Sequence, residues 1–106
     1  MSLPYSHRLY SVSGLDSGAG DQVVAVPAGK VMIVREIDGY SGDIGGPTVF
    51  FEDTATGGTW FVRQGAALTT TSFQWEGRIV FEGDGFTVRV DSGAWDLYVS
   101  GYLLDE

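Results

Sequence analysis

The chain has 106 residues, 43% hydrophobic and 19% charged, with 6 basic against 14 acidic side chains and a formal net charge of −8. That length predicts one domain burying about 65% of its unfolded surface, and the charge argues against nucleic acid or an anionic membrane as direct partner, since both need a positive footprint. The absence of cysteine removes disulfides, thiolate metal sites and cysteine nucleophiles together.

Residues 1–7 are expected to be a lead-in that holds the only histidine, His7, with a single domain over 8–106. "MSLPYSHRLY" has no apolar signal-peptide core and no run approaches the roughly 20 apolar residues of a membrane span, which predicts synthesis in a cytoplasm. Sixteen glycines cut the chain into short pieces rich in Val, Ile, Thr, Phe, Tyr and Trp. None shows helical spacing over the roughly 10–12 residues a helix needs, so the chain is read as all β.

Strands are expected near 8–13, 22–26, 30–39, 47–52, 59–64, 71–76, 78–82 and 86–91, with 95–103 as a ninth. "QVVAV" and "VMIV" are apolar on both faces, the mark of strands covered twice, by the core and by either a loop of the same chain or a neighbouring subunit. "TWFVRQ" sets Trp60 and Val62 against Phe61 and Arg63, and "SFQW" sets Phe73 and Trp75 against Gln74 and Glu76. Gly77 then predicts a bend or bulge. In "FTVRV", Phe86, Val88 and Val90 share a face; in "WDLYVSGYLL", Trp95, Leu97, Val99 and Leu103 oppose Asp96, Tyr98, Ser100 and Tyr102.

Two stretches look alike: "VAVPAGKVMIVR" from Val24 and "IVFEGDGFTVRV" from Ile79. Each is an apolar run, a tight turn and a second apolar run, and they lie about half the chain apart. They are read as pseudo-equivalent hairpins at the corners of a two-sheet antiparallel sandwich, jelly-roll-like, of about 8–9 short strands.

No catalytic constellation emerges. Glu52 and Asp53 are strand neighbours that point to opposite faces, unlike the facing carboxyls of glycosidases. Asp38 and Asp43 in "DGYSGD", like Asp84 in "EGDG", lack the calcium-loop spacing and suit glycine turns. "GDIGG" opens no helix, and "TTTS" at 69–72 has no general base beside it. No metal and no cofactor are expected. Trp60, Trp75 and Trp95 lie on the apolar phase and are expected in the core, whereas Tyr98 and Tyr102 lie on the polar phase.

The features "VVAVPAGKVMIVREID", "WEGRIVFEGDGFTVRV" and the closing "WDLYVSGYLL" together resemble small β-sandwich virion proteins of tailed bacteriophages, over residues 8–104. The resemblance implies a non-enzymatic capsid-decoration or minor tail protein in the virion, made in the host cytoplasm. Its implied partners are its own copies, a trimer first, and other virion proteins. The contact residues expected are Val24, Val26, Met32 and Val34 on the doubly apolar strands, with Tyr98 and Tyr102. The alternative is a carbohydrate-binding module that stacks glycan on Tyr40, Trp60 and Trp75.

Overall fold

A computed structural model describes residues 7–106, so the expected lead-in lies outside the described residues except for His7, where the first strand begins. The strands are β1 (His7–Asp16), β2 (Gln22–Val24), β3 (Lys30–Ser41), β4 (Thr48–Asp53), β5 (Thr59–Gln64), β6 (Thr71–Phe81), β7 (Phe86–Ser92) and β8 (Ala94–Asp105). Residues 71–76 and 78–82, expected as two pieces, run on as the single strand β6. One 3-10 turn, Ser17–Ala19, is the helical element among the described residues.

The strands make two antiparallel sheets, β1-β8-β3-β6 and β2-β7-β4-β5. The pairings are nested: β4 with β5, β3 with β6, β2 with β7, β1 with β8. The chain is thus one long hairpin, folded at the β4–β5 turn and rolled into two layers, which is the double Greek key of a jelly roll. All-β sandwich architecture is what forms.

Rolling a hairpin explains the two look-alike stretches and corrects one expectation about them. They are not hairpins, because β2 and β3 lie in different sheets, as do β6 and β7. Their turns are the two arms of the roll crossing together from one layer to the other, and they hydrogen-bond to each other, Val26 N donating to Gly83 O at 3.1 Å. Each turn also closes on itself, Lys30 N to Pro27 O at 3.1 Å and Gly85 N to Glu82 O at 3.2 Å. Gly85 has φ 73°, and a Cβ there would sit 1.9 Å from Val24 O, so the corner admits no side chain at this position.

Two bulges reset which side chains face in. In β3, Val34 pairs with Gly101 and Glu36 with Ser100, leaving Arg35 as an extra residue. Met32 and Val34 point inward before it, Ile37, Gly39 and Ser41 after it. On the other side Gly77 and Arg78 of β6 face Arg35, so a bulge does fall at Gly77. In β5, Phe61 pairs with Phe51 and Thr59 with Glu52, leaving Trp60 as the extra residue. Trp60 and Phe61 therefore both reach the interior, while Val62 turns out, 48% exposed. Strict alternation had placed Trp60 and Val62 together, and the bulge undoes that.

Between the sheets lies one core. Trp95, Phe51, Phe86, Ile37, Val34, Val49, Val88 and Val99 are fully buried. Phe51, Trp60, Trp75, Phe81 and Phe86 form a connected aromatic cluster with ring centroids 5.4–6.4 Å apart. Tilted and edge-on contacts of this kind add about 0.5–1.5 kcal/mol each beyond area burial. No helix among the described residues is long and apolar enough to cross a membrane.

Candidate functional site

The outer face of sheet β1-β8-β3-β6 carries the exposed Tyr40, Val80, Tyr98 and Leu104, and the Arg35 bulge divides it. Residues directly opposite across a strand pair share a face. Ile33 sits between Val80 of β6 and Tyr102 of β8, and Val31 lies beside Leu104. This end of the face is apolar. Ile33 is 2% exposed yet stands apart from the core cluster, while Val80 and Leu104 are 44% and 40% exposed. Arg35 and Arg78, both exposed, border it at the bulge.

Past the bulge the same face turns polar. Tyr40 lies between Ser72 and Asp96, Asp38 between Gln74 and Tyr98, and Glu36 between Glu76 and Ser100. Tyr40 and Tyr98 are diagonal neighbours, 46% and 43% exposed. With Asp38, Ser72 and Asp96 they line a groove of about 360 Å³. Asp96 Oδ1 accepts hydrogen bonds from Gly14 N at 2.8 Å and Ser13 Oγ at 3.1 Å. Gln74 Nε2 donates to Glu36 at 2.6 Å and to Glu76 at 3.3 Å, bridging two carboxylates. The Asp38 carboxyl is pushed up from the ordinary aspartate range by burial first, then by the charges of Glu36 and Glu76.

The expected contact residues divide accordingly. Tyr98 and Tyr102 are on the outer face. Val26, Met32 and Val34 are 8%, 3% and 0% exposed within the core, and Val24 packs against it half-buried. That part of the expected interface is corrected: these side chains fill the core, and the second face of the doubly apolar strands carries the partly exposed Val31 and the covered Ile33 on β3 and Val23, 58% exposed, on β2. Of the stacking candidates, Trp60 and Trp75 pack against the core and are partly buried, while Tyr40 stands outside, 46% exposed.

The acidic pairs have structural work. Glu52 accepts from Arg89, whose guanidinium lies 4.2 Å from the Phe50 ring centre, while Asp53 Oδ1 caps the β4–β5 turn by accepting from Ala55 N at 3.0 Å. Asp43 Oδ2 accepts from Ala94 N at 2.5 Å, tying the β3–β4 loop to the start of β8. No group of three or more His, Asp or Glu side chains converges as a metal site among the described residues.

At the far end of the sandwich, the β3–β4 and β5–β6 loops cross together, held by a Gly45–Ala67 bridge, Leu68 N to Ile44 O at 2.6 Å and Gly65 N to Pro47 O at 2.8 Å. Ile44 and Leu68 stand out from it, 52% and 83% exposed, Leu68 with φ 71°. Composition gave no hint of this tip; it arises only where two loops distant in sequence meet.

No protein-family model and no curated protein matches the chain. Among solved structures it is similar to the virus-like particle of the extra small virus of the giant freshwater prawn Macrobrachium rosenbergii, at 14% identity and TM-score 0.44, covering 100% of this chain and 84% of that one. It is also similar to the carbohydrate-binding module CBM6cm-2 of Cellvibrio mixtus lichenase 5A, solved with cellotriose, at 19% identity and TM-score 0.39, covering 89% and 72%. A third is the infectious bursal disease virus Gx strain structure, at 14% identity and TM-score 0.34, covering 93% of this chain and 30% of that one. All three are distant, and what this chain does is read from its own surface.

Proposed function

We propose that this chain is a non-enzymatic structural subunit of a virus particle, a capsid-decoration or minor tail protein of a tailed phage, acting through contacts between its own copies and neighbouring virion proteins. The observation that carries the reading is the apolar end of the β1-β8-β3-β6 outer face, where Val80 and Leu104 stand exposed beside the covered Ile33, with Arg35 and Arg78 at the border. An apolar centre inside a polar rim is the anatomy of a protein contact.

The sheet edges support association by faces instead of by strand addition. Each edge strand is blunted in a different way. β1 carries two register shifts and β2 is 3 residues long. β5 is bulged at Trp60 and turns Arg63 inward over the Phe61 and Phe73 rings, and β6 exposes Glu76 and Arg78 at its own bulge. Copies of such a sandwich meet in closed arrangements, a trimer in this proposal, and not in open-ended sheets.

Sedimentation equilibrium on the full chain tests this. A concentration-dependent closed oligomer is expected, dissociated by Val80→Asp or Leu104→Asp, both of which leave the core untouched. A monomer at every concentration that also fails to bind particles lacking it would overturn the proposal.

A further inference from the structure

The groove past the bulge has a chemistry that association of subunits does not use. Tyr40 and Tyr98 stand on its flanks as exposed diagonal neighbours on β3 and β8. Diagonal positions across a strand pair lie about 7–8 Å apart, the width over which two rings can flank one flat guest. The lining is mostly apolar, and Asp38, Asp96 and Ser72, which also border the groove, bring two carboxylates and a hydroxyl to its edge. Asp96 is pre-oriented, because Oδ1 is held by Ser13 and Gly14 while Oδ2 has no hydrogen-bond partner among the described residues. At about 360 Å³ the groove falls in the size range of small-molecule sites.

A guest that fits must bring flat C–H faces for the tyrosine rings and O–H donors along its edge for the carboxylates. It must also carry no negative charge, since Asp38, Asp96, Glu36 and Glu76 share this end of the face and no basic residue lines the groove. We infer that the Tyr40–Tyr98 groove binds a neutral pyranose sugar, one or two rings of an uncharged glycan, stacked on tyrosine and hydrogen-bonded to Asp38 and Asp96. This moves sugar recognition away from Trp60 and Trp75, and it stands independently of the oligomeric state.

NMR titration of the full chain with glucose, galactose, mannose, maltotriose and cellotriose, with glucuronic acid as charged counterpart, tests it. At least one neutral sugar is expected to shift the Tyr40 and Tyr98 ring signals, and glucuronic acid to leave them unmoved. Tyr98→Ala and Tyr40→Ala should each weaken binding about tenfold or more, and Asp96→Asn severalfold, with unchanged strand content because both tyrosines are exposed. If no neutral sugar moves these signals, or if binding survives both tyrosine substitutions, the inference fails. A shift produced by N-acetyl-arginine amide and by no sugar also overturns it, and assigns the groove to a cationic side chain of a protein partner.

Discussion

The two ends of the sandwich are built by the same device and finished in opposite ways. At one end the β2–β3 and β6–β7 turns cross together, with the β4–β5 turn beside them through Thr54 N to Gly85 O at 3.2 Å. At the other, the β3–β4 and β5–β6 loops cross, with the β7–β8 turn close by, where a Gly93 Cβ would meet Pro47. The first end is sealed, with Val26, Phe81 and Phe86 buried directly beneath it. The second seats Pro47 inside but displays Ile44 and Leu68. The outer sheet face is graded the same way, since β3 runs from the sealed end, where the apolar patch lies, to the open end, where the tyrosine groove lies. The difference teaches that rolling a hairpin obliges both crossings to be cross-linked by backbone hydrogen bonds, while leaving their side chains free to serve either core or surroundings.

The sealed end is the easier to break. Gly85→Ala combines a positive φ with a Cβ 1.9 Å from a backbone oxygen that has no flexible way to retreat. A loss of about 3 kcal/mol or more is expected in urea unfolding, enough to threaten the fold. Gly83→Ala, in the same turn at φ 57° but with open space around it, should cost only about 1 kcal/mol. If the two substitutions cost the same, the close packing of the two crossings is not what holds this end.

The open end should respond in the other direction. Leu68 adopts a left-handed conformation that disfavours a branched side chain, and 83% exposure leaves it almost no burial to lose. Leu68→Gly is expected to raise stability by about 0.5–1 kcal/mol, visible as a melting temperature higher by a few degrees. A clear drop would mean that the Leu68 side chain holds the crossing together.

The smallest effect belongs to the polar end of the sheet face. Because the folded state raises the Asp38 pKa, ionised Asp38 is a cost that is fully present above the raised value and disappears as pH falls below the ordinary aspartate value. Asp38→Asn should therefore raise the melting temperature by about 1 °C at neutral pH, and the advantage should vanish in acid. An advantage that persists or grows as the pH falls would contradict the burial, and the repulsion from Glu36 and Glu76, that raise the Asp38 pKa.

Local composition was enough to specify much of this molecule. Glycine-bounded runs of β-branched and aromatic residues predict strands because such side chains fit a pleated surface, and the alternation in β7 and β8 placed Trp95, Leu97, Val99, Phe86, Val88 and Val90 on the buried side correctly. The doubled corner motif was also legible, since a hairpin rolled into two layers needs matching turns in both arms. What the corners were joined to was not legible. Whether the strands flanking a turn pair with each other or part into different sheets is decided by hydrogen bonds to strands far away in the chain.

The site shows the same boundary. That β3 has a second apolar face followed from "VMIV", but which residues form it depended on the Arg35 bulge and on the two partner strands, so the inward set, Met32 and Val34, was mistaken for the outward one. Trp60 and Phe61 enter the core side by side because one extra residue in β5 lets both turn in, which period two forbids. The pairing of Tyr40 with Asp96 and of Asp38 with Tyr98 joins segments more than 50 positions apart. Side-chain alternation is a property of each strand alone and can be read from it; register and bulges are set by the neighbouring strands, and only the folded chain supplies those.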